Sequence, residues 1–220
     1  MERIGKNTKI EKPLITGPSG ILDAVLELDP GATPPLVALV CHPHPVFGGT
    51  MHNKVVFHAA KAAIQLGLPA LRFNFRGVGM SEGEFADGVG EQNDARAALE
   101  YLRTRFPNTP VCLMGFSFGA WVGMAVGALD PRVIALVGIG LPTALLDFAF
   151  LREIRKPKLI VQGTQDIYGP RDQVEDLFKT LQKPKQICWV DGAGHFLTGR
   201  LDKLQSLIRD FLQEILIINR

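Results

Sequence analysis

Disulfides are the first thing this chain lacks the means to make in quantity. Its 220 residues hold only three cysteines, Cys41, Cys112 and Cys188, an odd number in which no spacing matches a zinc-ligand pattern. Each sits inside an apolar run, so buried reduced thiols are expected, and with them a cytoplasmic setting. Charge of one sign is lacking too. Lys and Arg number 24 against 22 Asp and Glu, and no run reaches five like charges. Neither nucleic acid nor an anionic membrane is therefore expected as a partner. Residues 1–15 are charged and polar, without the apolar segment of a secretory leader. There is no internal repeat, low-complexity tract or linker, and the length suits one domain spanning residues 1–220.

Apolar content is ordinary, at 46% hydrophobic and 21% charged residues, enough for a sizeable core. The uncharged stretch 111–129 is long enough to nominate a membrane span, but Gly115, Gly119, Gly123 and Gly127 interrupt it. A buried strand, a tight turn and a buried helix explain it better. Strand-like runs fall at 21–28, 36–41, 70–75, 111–114, 133–139, 158–162 and 186–190. Several are nearly continuous in apolar residues, as strands covered on both faces are. Helical patterns lie between them at 53–65, 91–105, 118–128, 171–181 and 200–215. In the second, Ala95, Ala98, Leu99 and Leu102 share one face, while Arg96, Glu100 and Arg103 face away. This alternation predicts an α/β fold: a doubly wound, mostly parallel sheet in a three-layer α/β/α sandwich. Segment 141–156 is too short for more than one helix, so little or no cap is expected. Clusters such as Gly17-Pro18-Ser19-Gly20 read as hairpin turns.

Gly115-Phe116-Ser117-Phe118-Gly119 is a G-x-S-x-G pentapeptide set between a strand and a helix. A sharp strand-to-helix turn strains the serine backbone and pushes its Oγ into solvent beside the helix N-terminus. Glycines two residues away on either side remove Cβ atoms that would clash with the neighbouring elements. Ser117 is thus a candidate nucleophile, and it requires a base and an orienting acid. In the chain order serine, acid, histidine, only His195 of the five histidines lies far enough along the chain. Asp166, just past the strand at 158–162, is the candidate acid, with Asp147 as runner-up; Asp191 sits too near His195 in the same loop.

A transition-state oxyanion needs two backbone donors. One is expected from Phe118, the residue after Ser117. The other should come from Cys41-His42-Pro43-His44-Pro45-Val46-Phe47-Gly48-Gly49, where both prolines lack an N–H and His44 is left as the donor. His42, His44 and His52 could be read as a metal site, but no acidic partner lies nearby in sequence. Neither a metal nor a cofactor is expected.

Together these residues resemble the α/β-hydrolase superfamily, and more narrowly its small capless bacterial serine esterases related to dienelactone hydrolases. The resemblance rests on several segments in addition to the Ser117, Asp166 and His195 loops. They are Cys41-His42-Pro43, Gly48-Gly49-Thr50-Met51-His52-Asn53-Lys54-Val55-Val56, and Arg72-Phe73-Asn74-Phe75-Arg76-Gly77-Val78-Gly79. It extends from about Ile21 to the end of the chain. Three departures stand out: Ser117 where better-known dienelactone hydrolases carry cysteine, His42-Pro43 where many lipases carry His-Gly, and Asn74 where Asp is more usual. The Arg76 turn reads as structural, with Arg76 paired to a carboxylate.

The function expected is hydrolysis of small or short-acyl carboxylic esters through an acyl-enzyme on Ser117. The site should be shallow and bounded by Phe47, Phe116, Phe118, Leu141 and Phe148. A thioesterase or peptidase would use the same three side chains. A non-catalytic binding protein on this fold, or a structural subunit, is the reading from a different class. A monomer or homodimer fits equally, since the apolar tail Ile215-Leu216-Ile217-Ile218 suits an interface or the buried end of a helix.

Overall fold

A computed structural model describes residues 8–31 and 33–219; residues 1–7, residue 32 and residue 220 lie outside it, as does part of the 1–15 segment read for a leader. The strands are β1 (Lys9–Glu11), β2 (Leu14–Gly17), β3 (Gly20–Leu28), β4 (Val37–Cys41), β5 (Ala70–Phe73), β6 (Val111–Phe116), β7 (Val133–Ile139), β8 (Lys158–Gly163) and β9 (Lys185–Val190). The helices are α1 (Lys54–Ile64), α2 (Val89–Arg105), α3 (Phe118–Leu129), α4 (Arg171–Thr180) and α5 (Leu201–Ile218). All seven strands and five helices expected from periodicity are present, with ends shifted by at most three residues. Strands β1 and β2 were not anticipated. They are three and four residues long and mostly exposed, too short to show alternation.

The sheet runs β1-β3-β5-β4-β6-β7-β8-β9, with β2 pairing back on β3. From β5 to β9 the neighbours are parallel, while β3 is antiparallel to β5, and β1 and β2 are antiparallel to β3. The Gly17-Pro18-Ser19-Gly20 turn closes the β2–β3 hairpin, with Gly17 opposite Gly20.

Period-2 alternation divides the core cleanly. Val37, Leu39 and Cys41 of β4 face one apolar cluster with Leu99, Val122 and Val126; Ala38 and Val40 face the other with Val56, Ala59, Leu204 and Ile208. Helices α2 and α3 thus cover one face, and α1 and α5 the other. The chain leaves β4 for β5 on one side and returns with β6 on the other. This reversal opens a crevice at the carboxyl ends of β4 and β6, the place where open α/β sheets bind ligands.

The Arg76 turn is fastened to α2. Its backbone N–H and guanidinium both donate to the buried Asp94 carboxylate, at 3.0 and 2.7 Å, and that pairing raises the arginine's pKa further. Segment 141–156 holds one 3-10 turn, Ala149–Glu153, pinned by buried Leu151. No cap covers the carboxyl edge among the described residues. No helix there is long and apolar enough to cross a membrane; stretch 111–129 is β6, a turn and α3.

Candidate active site

Strand β6 ends at Phe116, helix α3 begins at Phe118, and Ser117 alone makes the turn, with φ 56° and ψ −122°. This is a backbone region that side-chain-bearing residues rarely adopt. The strain is held by the hydrogen bond from Ser117 N–H to the Ile139 carbonyl at 2.9 Å, which locks the turn to β7. The two motif glycines are required by contact. A Cβ on Gly115 would overlap the Gly119 carbonyl, and one on Gly119 would overlap the carbonyls of Cys41 and His42. With both absent, α3 starts close against the end of β4.

The loop after β9 brings His195 to the same edge. Its Nε2 lies 2.9 Å from Ser117 Oγ, and its Nδ1 lies 2.8 Å from Asp166 Oδ2. Since a carboxylate only accepts, Nδ1 carries the proton and Nε2 is free to accept from the serine hydroxyl. Asp166 receives two more N–H groups on Oδ1, from Tyr168 at 2.9 Å and Gly169 at 3.3 Å. A fourth donor is Gln162 Nε2, 2.9 Å from Oδ2. Gln162 is fully buried; it also donates to the Gly169 carbonyl and accepts from Leu141 N–H, so every polar group of its amide is used. Sequence reading missed this residue. The available signal was a glutamine at the end of the apolar strand Lys158–Gly163, four residues before the acid.

The alternative acids are engaged elsewhere. Asp147 accepts from Ala149 N–H, and Asp191 from the Thr164 hydroxyl at 3.4 Å.

After β4 the loop turns through a 3-10 turn at Pro45–Phe47. Among the described residues, neither the His44 nor the Phe118 backbone N–H has a hydrogen-bond acceptor. The His44 ring packs 4.7–4.9 Å from Phe47, Phe85 and Phe118, where burial lowers its pKa. His42 is wholly buried. Its Nδ1 donates to the Pro43 carbonyl at 2.7 Å, its Nε2 accepts from Phe75 N–H at 2.9 Å, and burial pushes its pKa down to about 4. Both ring nitrogens are therefore occupied, one by the Pro43 carbonyl and the other by Phe75 N–H.

The expected boundary of the site needs correcting. Phe47 is 84% exposed, but Phe116, Leu141 and Phe148 are buried at 0–2%. Phe116 lies beneath His195 with ring centroids 5.0 Å apart, while Leu141 and Phe148 join the core beside α3. In sequence Phe116 and Leu141 stand at or just past the carboxyl ends of strands and Phe148 in the segment that follows β7, yet their side chains pack inward because that is where apolar area is removed from water. The exposed aromatic side chains beside His195 are Tyr168 and Phe196, neither of which was singled out from sequence.

Residues 40–214 match the family described as an alpha/beta hydrolase domain. The chain belongs to the α/β-hydrolase family. Among solved structures, this hydrolase is similar to XC6422 of Xanthomonas campestris, described as an a/b serine hydrolase without a lid. The TM-score is 0.85 and identity 34%, over 96% of this chain and 95% of that one. It is also similar to an alpha-beta serine hydrolase homologue of Coxiella burnetii, with TM-score 0.86 and 40% identity over 92% of this chain and 97% of that one. An uncharacterized protein of Rickettsia prowazekii is 40% identical, over 80% of this hydrolase and 78% of its own length. The lidless architecture is thus common to this hydrolase and to a relative.

Proposed function

We propose that this hydrolase cleaves small or short-acyl carboxylic esters by way of an acyl-enzyme on Ser117. The observation that carries the reading is the hydrogen-bonded line from Ser117 Oγ through His195 to Asp166, 2.9 and 2.8 Å long, on a strained strand-to-helix turn. Ser117 Oγ attacks the ester carbonyl carbon while His195 Nε2 takes its proton. Asp166 holds the imidazole in the tautomer that can accept, and stabilises the imidazolium that forms. The carbonyl oxygen, now negative, is received by the N–H groups of Phe118 and His44. As the tetrahedral species collapses, the bond to the alcohol oxygen breaks and His195 returns the proton to that oxygen. Water then enters by the same route, losing a proton to His195 as it attacks the acyl carbon; the bond from that carbon to Ser117 Oγ breaks, His195 returns the proton to Oγ, and the acid leaves as its carboxylate.

A serine hydroxyl alone is a poor nucleophile at neutral pH, so this chemistry depends on the base and the two donors together. The short-acyl preference follows from the open edge of the sheet, over which no cap lies among the described residues to enclose a long chain. The same reading takes residues 1–220 as one domain, monomeric or dimeric. It places the enzyme in the cytoplasm, in keeping with three free cysteines, two of them buried.

Hydrolysis of p-nitrophenyl butyrate and laurate tests the reading, together with mass analysis of the Ser117 peptide after rapid quenching. The expected result is a butyryl adduct on Ser117 and faster turnover of the butyrate. Faster turnover of the laurate, or an adduct elsewhere, would contradict it.

A further inference from the structure

Three aromatic rings surround His195, and they differ in what they face. Phe116 lies beneath and is sealed from solvent. Tyr168 and Phe196 stand edge-on to the imidazole, with centroids 4.8 and 5.3 Å away, and are 41% and 56% exposed. Ile167, next to Tyr168 in the chain, is more exposed still. The backbone holds Tyr168 in place: its N–H donates to Asp166 Oδ1 and its carbonyl accepts from Ala144 N–H at 3.0 Å, next to exposed Leu145. Scattered apolar side chains on a surface need no explanation, but a contiguous group in contact with reacting atoms does.

The reaction places a particular half of the substrate there. His195 Nε2 has to protonate the leaving alcohol, so that oxygen must come within about 2.6–3.2 Å of the nitrogen. The carbon skeleton of the alcohol begins one bond further on, among the side chains that border the imidazole and open to solvent. Those are Tyr168 and Phe196. We propose that these two residues form a subsite for the alcohol half of the ester, and that it selects an aromatic alcohol such as an arylmethanol. Two exposed ring edges can take a third ring in offset or edge-to-face contact, a geometry that adds to simple apolar burial. The proposal rests on the esterase reading above and concerns only which alcohol that site prefers.

Benzyl, cyclohexylmethyl and ethyl butyrate test it, because they share one acyl-enzyme and leave as alkoxides of comparable basicity. In the wild-type enzyme kcat/KM for the benzyl ester should exceed that for the ethyl ester about tenfold, with the cyclohexylmethyl ester between them. Tyr168→Ala and Phe196→Ala should each lower the benzyl-to-ethyl ratio several-fold, and the double variant should bring it near unity. Damage to His195 itself would slow all three esters together and leave the ratio unchanged. Should an alanine variant fold poorly, Phe196→Leu provides the second test, keeping apolar bulk while losing the ring; it should lower the benzyl-to-cyclohexylmethyl ratio. Benzyl alcohol should also inhibit competitively at concentrations where ethanol does not. A wild-type ratio near unity, or one that neither ring variant moves, overturns the subsite while leaving the esterase intact. If the wild type hydrolyses none of the three, the esterase reading itself fails, and the subsite with it.

Discussion

Gln162 Nε2 stands 2.9 Å from the same Asp166 oxygen that accepts from His195 Nδ1 at 2.8 Å. The amide thus fixes the carboxylate from behind while its own oxygen holds Leu141 N–H. Removing it does two separable things. Gln162→Leu leaves Leu141 N–H and the Gly169 carbonyl without partners in a buried place, which should destabilise the fold by about 2–4 kcal/mol. It also removes one of the two donors on Asp166 Oδ2 and so loosens the hold on the oxygen that orients His195, which should lower kcat about tenfold with little change in KM. Urea unfolding and steady-state kinetics measure the two effects. Gln205→Leu, at another buried glutamine, one that bonds to His58 and not to Asp166, should show a stability loss without the kinetic one. A Gln162→Leu enzyme with unaltered kcat would remove Gln162 from the account.

Ser117 occupies φ 56° and ψ −122° in order to present its hydroxyl. Strain of this kind costs about 1–3 kcal/mol and is relieved by glycine but not by alanine. Ser117→Gly should therefore be more stable than Ser117→Ala by about 1–2 kcal/mol, with both inactive. Thermal or urea unfolding of the pair decides it; equal stability would mean that the turn stores no strain at this residue.

The buried His42 gives stability a particular pH dependence. Its folded pKa of about 4 lies below the ordinary value of roughly 6.5 expected in the unfolded chain. Between those values the unfolded state binds a proton that the folded state refuses. The contribution is therefore complete above about pH 6.5, and is lost as pH falls toward 4, by up to about 3 kcal/mol. Protonation would also take from Phe75 N–H its acceptor. His42→Gln, which can donate to Pro43 and accept from Phe75 in the same way, should lose less stability between pH 7.5 and pH 5 than the wild type. Equal losses in urea titrations at the two pH values would contradict this.

Much of the architecture was legible because it depends on local pattern. Strands buried on both faces must be apolar throughout, so β4, β6 and β7 stand out, and the alternation of Val37 and Leu39 with Ala38 and Val40 sorts them to two clusters. Ser117 was legible because the elbow demands small neighbours, and Gly115 and Gly119 each leave out a Cβ that backbone carbonyls would meet. His195 and Asp166 follow from chain order and loop position, and the three side chains do converge. Gln162 was not legible in the same way, since its role depends on where Leu141 and Gly169 come to lie in space. The wall of the site was misjudged for the same reason. Leu141 and Phe148 sit in loops by sequence yet are buried, whereas Tyr168 and Phe196, in equally plain loop sequence, remain open beside the imidazole. Which way a loop side chain turns is decided by its tertiary neighbours, and periodicity carries no record of them.

The central claim is that Ser117 is an activated nucleophile. Fluorophosphonate labelling tests it most directly, run on wild type and Ser117→Ala alongside turnover of p-nitrophenyl butyrate. The account predicts one label per chain, on Ser117, with labelling and turnover both absent from the variant. Folded wild-type protein that takes no label, or a Ser117→Ala variant that still turns over the ester, would contradict it.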